Sequence, residues 1–276
     1  MEAILFVGHG SRDQEGNDQV VQFVEQLRLD IDAQFHIETC FLEFGLPTIA
    51  EGMTNCVKAG AKKIVVIPLI LLSAGHSKLH IPQAIDEAKE RYPHVNIIYG
   101  RPIGIHEQTF TILQERLQEI GEQVEAPGPH TAILLLGRGG SDPDANSDLY
   151  KIARLFWEQT NYSLVEPAFM GVTNPLLAEG VERCIKLGAK KIVILPYFLF
   201  TGVLIKRLER NVSELRLRYP DIQFSLAEYF GFHPKLKTIV LDRVEEALSQ
   251  TVSMNCDLCQ YRLHMAEHHH HHHHHH

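Results

Sequence analysis

Gly60-Ala-Lys-Lys-Ile-Val-Val-Ile-Pro68 returns as Gly188-Ala-Lys-Lys-Ile-Val-Ile-Leu-Pro196, 128 residues further on. Each copy is a turn glycine, two lysines and a run of Ile and Val, the pattern of a buried strand entered from a surface turn. Outward from this anchor the match continues. Ala50-Glu51-Gly52 pairs with Ala178-Glu179-Gly180, and Arg91-Tyr92-Pro93 with Arg218-Tyr219-Pro220. Gly8-His9-Gly10-Ser11 pairs with Gly137-Arg138-Gly139-Gly140-Ser141, one glycine longer. The chain is an internal duplication, so each half is a control for the other. Residues present in both copies read as scaffold, and polar residues kept in only one are candidates for chemistry.

In the first half, apolar runs at residues 3–7, 37–44, 63–72 and 95–99 read as strands. Val20, Phe23, Val24, Leu27 and Ile31 recur at helical spacing, and residues 47–59, 81–91 and 106–120 read as further helices. The second half repeats the order, with strands near 132–136, 163–170, 191–200 and 222–229 and a last helix to about Leu248. Strands alternating with helices predict an α/β protein with parallel sheets. The expectation is two similar lobes, each a four-stranded parallel sheet with helices on both faces, and a cleft between them. Their bounds are residues 1–125 and 126–250, joined near Glu125-Ala-Pro-Gly-Pro129, with a tail at 251–276. Pro68 and Pro196 disturb this reading, because proline withholds a ladder donor; a bulge or an early break in the hydrogen bonding is expected at both.

Composition narrows the function. The 276 residues carry a formal net charge of −8, which argues against a nucleic-acid partner and means that an anionic substrate needs a local basic patch. No apolar run approaches a membrane span, and the first residues do not form a signal peptide, so a cytoplasmic, membrane-free protein is expected. Cys40, Cys56 and Cys184 stand singly in apolar elements, unlike a disulfide framework. There is no phosphate-loop lysine motif, dinucleotide fingerprint or nucleophile elbow.

Three residues stand out when the halves are compared. His9 becomes Arg138, Glu43 falls opposite Gly171, and His76 falls opposite Leu204. In an open parallel sheet, ligands bind beyond the carboxyl ends of the strands. Each of these residues lies just past such an end, so they are expected to share one edge. Two imidazoles and a carboxylate suit a borderline divalent ion such as Co²⁺ or Fe²⁺, and they also accept protons near neutral pH. His80, opposite Leu208 and four residues after His76, either joins them on a helical turn or faces solvent. His106 is matched by His233 and reads as a helix-start residue.

Val7-Gly-His9-Gly-Ser-Arg12, Phe41-Leu-Glu43 and Pro68-Leu-Ile-Leu-Leu-Ser-Ala-Gly-His76 together resemble the class II tetrapyrrole chelatases, and most closely the long, internally duplicated bacterial sirohydrochlorin chelatases. The resemblance spans roughly the first 250 residues. It implies a lyase that inserts a divalent metal into sirohydrochlorin without ATP, with His9 and His76 as metal-binding and catalytic positions and Glu43 as a supporting carboxylate. The implied product lies on the route to cobalamin if the metal is Co²⁺, or to sirohaem if it is Fe²⁺. A non-catalytic metal carrier or store is the reading from another class.

Sirohydrochlorin is ringed by carboxylates, which arginine binds well. Arg12, Lys78, Arg138, Lys206, Arg207 and Arg210 are the candidates for that rim, against the alternative of a solvated basic helix face. Met254-Asn-Cys256-Asp-Leu-Cys259 fits the tail motif that the cobalt-inserting long form associates with an iron–sulfur centre. A [4Fe–4S] cluster takes four cysteines and the motif supplies Cys256 and Cys259. A monomer is expected, or a dimer if two chains share a cluster. The run His268 to His276 reads equally as an expression tag or a native metal-collecting tail.

Overall fold

The computed structural model describes residues 1–250; Cys256, Cys259 and the histidine run lie outside the described residues. The chain order is β1 (Glu2–Gly8), α1 (Gln14–Arg28), β2 (His36–Phe41), α2 (Ile49–Lys58), β3 (Lys63–Leu69), α3 (Gly75–Arg91), β4 (Asn96–Tyr99) and α4 (Glu107–Glu119). The second half gives β5 (Thr131–Gly137), α5 (Pro143–Glu158), β6 (Leu164–Phe169), α6 (Leu177–Lys186), β7 (Lys191–Pro196), α7 (Val203–Arg218), β8 (Gln223–Leu226) and α8 (Pro234–Ser249). The strands form two parallel four-stranded sheets, ordered β2-β1-β3-β4 and β6-β5-β7-β8.

The continuous apolar strands are explained by burial on both faces. Ala3, Leu5 and Val7 of β1 pack with Ile49, Met53, Cys56, Ile81 and Ile85 from α2 and α3. Ile4 and Phe6 point the other way and are also fully buried, as are Phe23, Val24 and Leu27 of α1. Each such side chain contributes about 1.5–3 kcal/mol on leaving water. The second half repeats the arrangement with Ala132, Leu134 and Leu136 against Leu177, Val181, Leu208 and Val212.

The expected bulge at the prolines is absent. Pro68 stays in register with Val7, and Pro196 with Leu136. The carbonyl of Val66 faces β4, where it accepts from Gly100 N at 2.8 Å. Alternation puts the donor that Pro68 lacks on the same side, beyond the last β3–β4 pair, Val66 with Tyr99. The proline therefore stands where no ladder bond is lost. Several strands also end earlier than their apolar runs. β3 stops at Leu69 although Ile70 and Leu71 are buried, because their carbonyls accept from the loop residues Ile103 and Gly104.

The compact units are drawn differently from the sequence halves. One comprises Met1–Ser11, Val20–Gly104 and residues 240–250 of the described chain; the other comprises Arg12–Gln19 and Ile105–Ile239. In the first unit, buried Arg243 of α8 donates to Pro102 O at 2.9 Å and Ile103 O at 2.6 Å, and Gly100 leaves room for Ala247. In the second, Arg116 of α4 donates to Tyr229 O at 2.9 Å and Phe230 O at 2.7 Å. The last helix of each half thus completes the unit built on the other half's sheet.

A backbone clasp recurs at the carboxyl edge of both sheets. Leu42 N donates to Gly8 O at 2.9 Å and Glu43 N to His9 O at 3.1 Å; Met170 N donates to Gly137 O at 2.9 Å and Gly171 N to Arg138 O at 3.1 Å. Each clasp needs a glycine in left-handed conformation. Gly10 has φ 93° and Gly139 φ 84°, and a Cβ would lie 1.6 Å from Glu43 O or 2.0 Å from Gly171 O. Gly188 shares the conformation, with φ 98°, but has open space around it. Gly188→Ala should therefore cost about 1–2 kcal/mol. Gly139→Ala should cost about 2–5 kcal/mol, because overpacking adds to the same conformational penalty. Denaturant midpoints of the two variants measure the difference, and equal losses would mean that the clasp yields without cost.

Candidate active site

The order β2-β1-β3-β4 places the reversal of winding at β1, and the loops after β1, β2 and β3 meet at one edge. His9 follows β1, Glu43 follows β2, and His76 opens α3 after β3. The clasp fixes the first two relative to each other through the backbone. Phe44, next to Glu43, has φ 53°, and its counterpart Val172 has φ 69°. Both copies thus hold non-glycine residues in the left-handed region, which is uncommon and marks a tightly determined loop.

The side chains meet on Glu43. His9 Nδ1 lies 3.6 Å from Glu43 Oε1, and His76 Nε2 lies 3.1 Å from Glu43 Oε2. The two imidazole centroids are 6.3 Å apart. His9 Nδ1 also lies 3.3 Å from Gly10 O, so acceptors surround that nitrogen and assign it the proton of a neutral ring. In that tautomer Nε2 carries the lone pair of the ring. The side chains of His9 and Glu43 are 26% and 27% exposed and that of His76 is 49% exposed, so the cluster is reachable from solvent. Among the described residues, no three His, Cys, Asp or Glu side chains form a preassembled metal cage. Glu43 instead bridges the two imidazoles. Such an open set can take up an ion and release it again.

The clasp confirms that Arg138 is the counterpart of His9 and Gly171 that of Glu43. The pairing expected for His80 needs correction. Arg91 and Arg218 are 127 residues apart, not 128. Burial follows this shorter spacing: Ile81 and Leu208 are 0% and 1% exposed, and Ile85 and Val212 are 3% and 1% exposed. His80 therefore corresponds to exposed Arg207, while Leu208 corresponds to Ile81. At the helix start the spacing is still 128, because Lys78 N donates to Ala74 O as Lys206 N does to Gly202 O, so His76 corresponds to Leu204 as expected, a residue without a ligand atom. The spacing of Arg91 and Arg218 carries the shift in the sequence, but interchangeable Leu, Val and Ile leave its place open. In the second half, the equivalent edge carries a groove lined by Ser141, Asn146, Tyr150, Phe169 and Thr173, without imidazole or carboxylate.

The basic candidates divide. Arg12, Arg138, Arg207 and Arg210 are exposed, and Lys78 is partly so. Lys206 is engaged elsewhere: its Nζ lies 2.5 Å from Asp13 Oδ2 and 2.8 Å from Glu15 Oε2. The hydrogen bond to Lys206 holds Asp13 below its ordinary value, and the same contacts raise Lys206. This brace ties the first turn of α7 to the segment that follows His9. Sequence reasoning missed it, since two surface carboxylates after a loop carry no signal of their partner. His106 and His233 prove to be helix caps: His106 Nδ1 accepts from Gln108 N and His233 Nδ1 from Lys235 N, both at 3.0 Å. His36 pairs with Glu38 at the opposite end of β2, away from the cluster.

The chain is similar to known chelatases. A sirohydrochlorin cobaltochelatase of Priestia megaterium is 64% identical over 268 residues, covering 97% of this chain and 87% of the relative. A sirohydrochlorin ferrochelatase of Bacillus subtilis is 38% identical over 250 residues, covering 91% of this chain and 93% of that one. The crystal structure of the sirohydrochlorin chelatase SirB from Bacillus subtilis subspecies spizizenii in complex with cobalt superposes with a TM-score of 0.76 at 36% identity, covering 90% of this chain and 96% of that one. The CbiX family model matches residues 3–120 and again residues 132–247, once for each copy of the duplication. Matched twice along its length, with the three polar residues kept in the first copy, the chain belongs to the CbiX family.

Proposed function

We propose that the protein is a sirohydrochlorin chelatase that inserts Co²⁺, without ATP, on the route to cobalamin. The observation that carries this reading is the convergence of His9 and His76 on Glu43 at the carboxyl edge of the first sheet. The 64% identity to a cobaltochelatase, against 38% to a ferrochelatase, supports Co²⁺ over Fe²⁺. Insertion exchanges two pyrrole N–H protons for one M²⁺, so charge balances and no electron moves. His9 delivers the ion, and Glu43 shares it and neutralises its charge. His76, the most exposed of the three, is the first base for a pyrrole proton. A planar ring directs its nitrogen lone pairs inward, away from an ion on one face. Contacts to its periphery must therefore hold it distorted, with remote binding energy offsetting the strain.

Those peripheral contacts fall to Arg138, Arg207 and Arg210, with Arg12 and Lys78 from the first half. Lys206 leaves this group, because Asp13 and Glu15 already hold its charge. The cysteines of one chain do not complete a four-cysteine iron–sulfur centre. Burial raises the thiols of Cys56 and Cys184 to about 12, and Cys40 is raised in the same way. All three are sealed in the cores, leaving Cys256 and Cys259 as the only pair for a cluster that takes four thiolates. A cluster would need a second chain or ligands other than cysteine, and redox-neutral insertion has no need of one. Among the described residues no helix is long and apolar enough to cross a membrane.

An absorbance assay of the purified protein with sirohydrochlorin and Co²⁺, Fe²⁺ or Ni²⁺ in turn tests the activity. Catalytic spectral conversion is expected with each competent metal, fastest with Co²⁺. A faster rate with Fe²⁺ would favour the ferrochelatase reading, and metal binding without conversion would favour a carrier or store. The rim makes a separate kinetic prediction. Arg138→Ala should raise KM for sirohydrochlorin by more than it lowers kcat, because peripheral contacts exist in both ground and transition states. It should also weaken the salt dependence of KM. Lys206→Ala should leave that salt dependence near its original slope. Equal responses in the two variants would place Lys206 back on the rim.

A further inference from the structure

We infer that His76 and His80 form an outer binding position for a borderline divalent metal ion, from which the ion passes to Glu43 and His9. The two residues are four apart in the first turns of α3, which puts their side chains on one face of the helix. Their ring centroids are 4.4 Å apart with planes inclined at 61°. Two histidines at this helical spacing hold one divalent ion in other metal sites, with metal–nitrogen distances of about 2.0–2.1 Å. Both residues are exposed. Imidazole ligands select ions such as Co²⁺, Ni²⁺ or Zn²⁺ over Mg²⁺ or Ca²⁺.

His76 belongs to both groups. Its Nε2 is 3.1 Å from Glu43 Oε2, while its ring also contacts that of His80. The outer pair is neutral, whereas the inner set adds a carboxylate. Electrostatics therefore draws an ion held by the two imidazoles inward once His76 turns to Glu43.

The duplicate shows that this stretch of helix is the altered one. Leu71 and Leu199 carbonyls accept equivalent bonds from Gly104 N and Gly231 N and are 128 residues apart. Ile81 and Leu208 fill equivalent buried positions 127 apart. Lys78 N and Lys206 N, 128 apart, donate equivalently to Ala74 O and Gly202 O, so the first half has one extra residue between Lys78 and Ile81, in the turn that holds His80, and α3 is 17 residues long against 16 for α7. Pro82 lies just beyond, where α7 has Glu209, and it returns no hydrogen bond to the carbonyl of Lys78. The histidine-bearing turn is thus tied to the rest of α3 by fewer helical bonds, which suits a ligand that exchanges partners. Arg207, in the place of His80, binds no cation.

The full chain, treated with diethyl pyrocarbonate in the presence and absence of Co²⁺ alone, gives a site-resolved test by peptide mass spectrometry. The histidine run at the C-terminus is read on its own peptide. Co²⁺ should reduce labelling of His80 and His76 together by several-fold, and Mg²⁺ at the same concentration should not. Protection of His80 should persist in His9→Ala and vanish in His76→Ala. Unchanged labelling of His80 at Co²⁺ concentrations that protect His76 would overturn the inference, as would protection of His80 that survives His76→Ala. This assay needs no turnover, so its outcome is separate from that of the chelatase reading on which the transfer step rests. Where turnover is measured, His80→Gln should raise KM for Co²⁺ several-fold and by more than it lowers kcat. An unaltered KM for Co²⁺ would count against the transfer.

Discussion

The backbone clasp between the loops after β1 and β2 is the constraint on which the site depends. Two amide donors of the β2 loop bind two carbonyls of the β1 loop, and Gly10 leaves just enough room for the carbonyl of Glu43. His9 and Glu43 are thereby positioned by main chain, before their side chains interact at all. The same clasp in the second half, with Arg138 and Gly171 in the equivalent places, shows that it is scaffold rather than a product of the chemistry. A duplicated fold can thus carry ligands on one edge and bare backbone on the other without a change in architecture.

Much of this was legible in the sequence. The meeting of His9, Glu43 and His76 followed from one rule of parallel sheets, that loops at the carboxyl ends of adjacent strands share an edge. The helix-start reading of His106 and His233 was equally accessible, because the repeat marked what both copies retain. Three features were not. The ends of β3 and β7 are set by where neighbouring strands stop, and a buried loop is as apolar as a buried strand. The spacing of Arg91 and Arg218 implied a one-residue shift, but its place in α3 hid among interchangeable Leu, Ile and Val until burial located it. The exchange of α4 and α8 between compact units depends on contacts more than 100 residues apart, such as Arg243 with Ile103.

Charge is distributed in keeping with this division. The protein is acidic overall, at −8, so cations near a carboxylate-rich substrate must be local. Lys206 illustrates how a basic residue in a promising position can serve another purpose. Its ammonium braces Asp13 and Glu15, in the segment that leads away from His9. The exposed arginines have longer reach and a planar donor fork suited to carboxylates.

The central claim is that the metal-binding and proton-accepting groups of the insertion lie in the first half, on a scaffold that the second half shares. The double variant His9→Arg, Glu43→Gly gives the first-half loops the residues that the second half carries at Arg138 and Gly171. Its rate of Co²⁺ insertion into sirohydrochlorin, measured beside its thermal unfolding, is the most direct test. The account predicts a rate lower by about 10²-fold or more, the scale of losing a positioned acid–base group, with an unfolding temperature close to that of the parent protein. A folded double variant that inserts Co²⁺ at a rate near the parent's would contradict it.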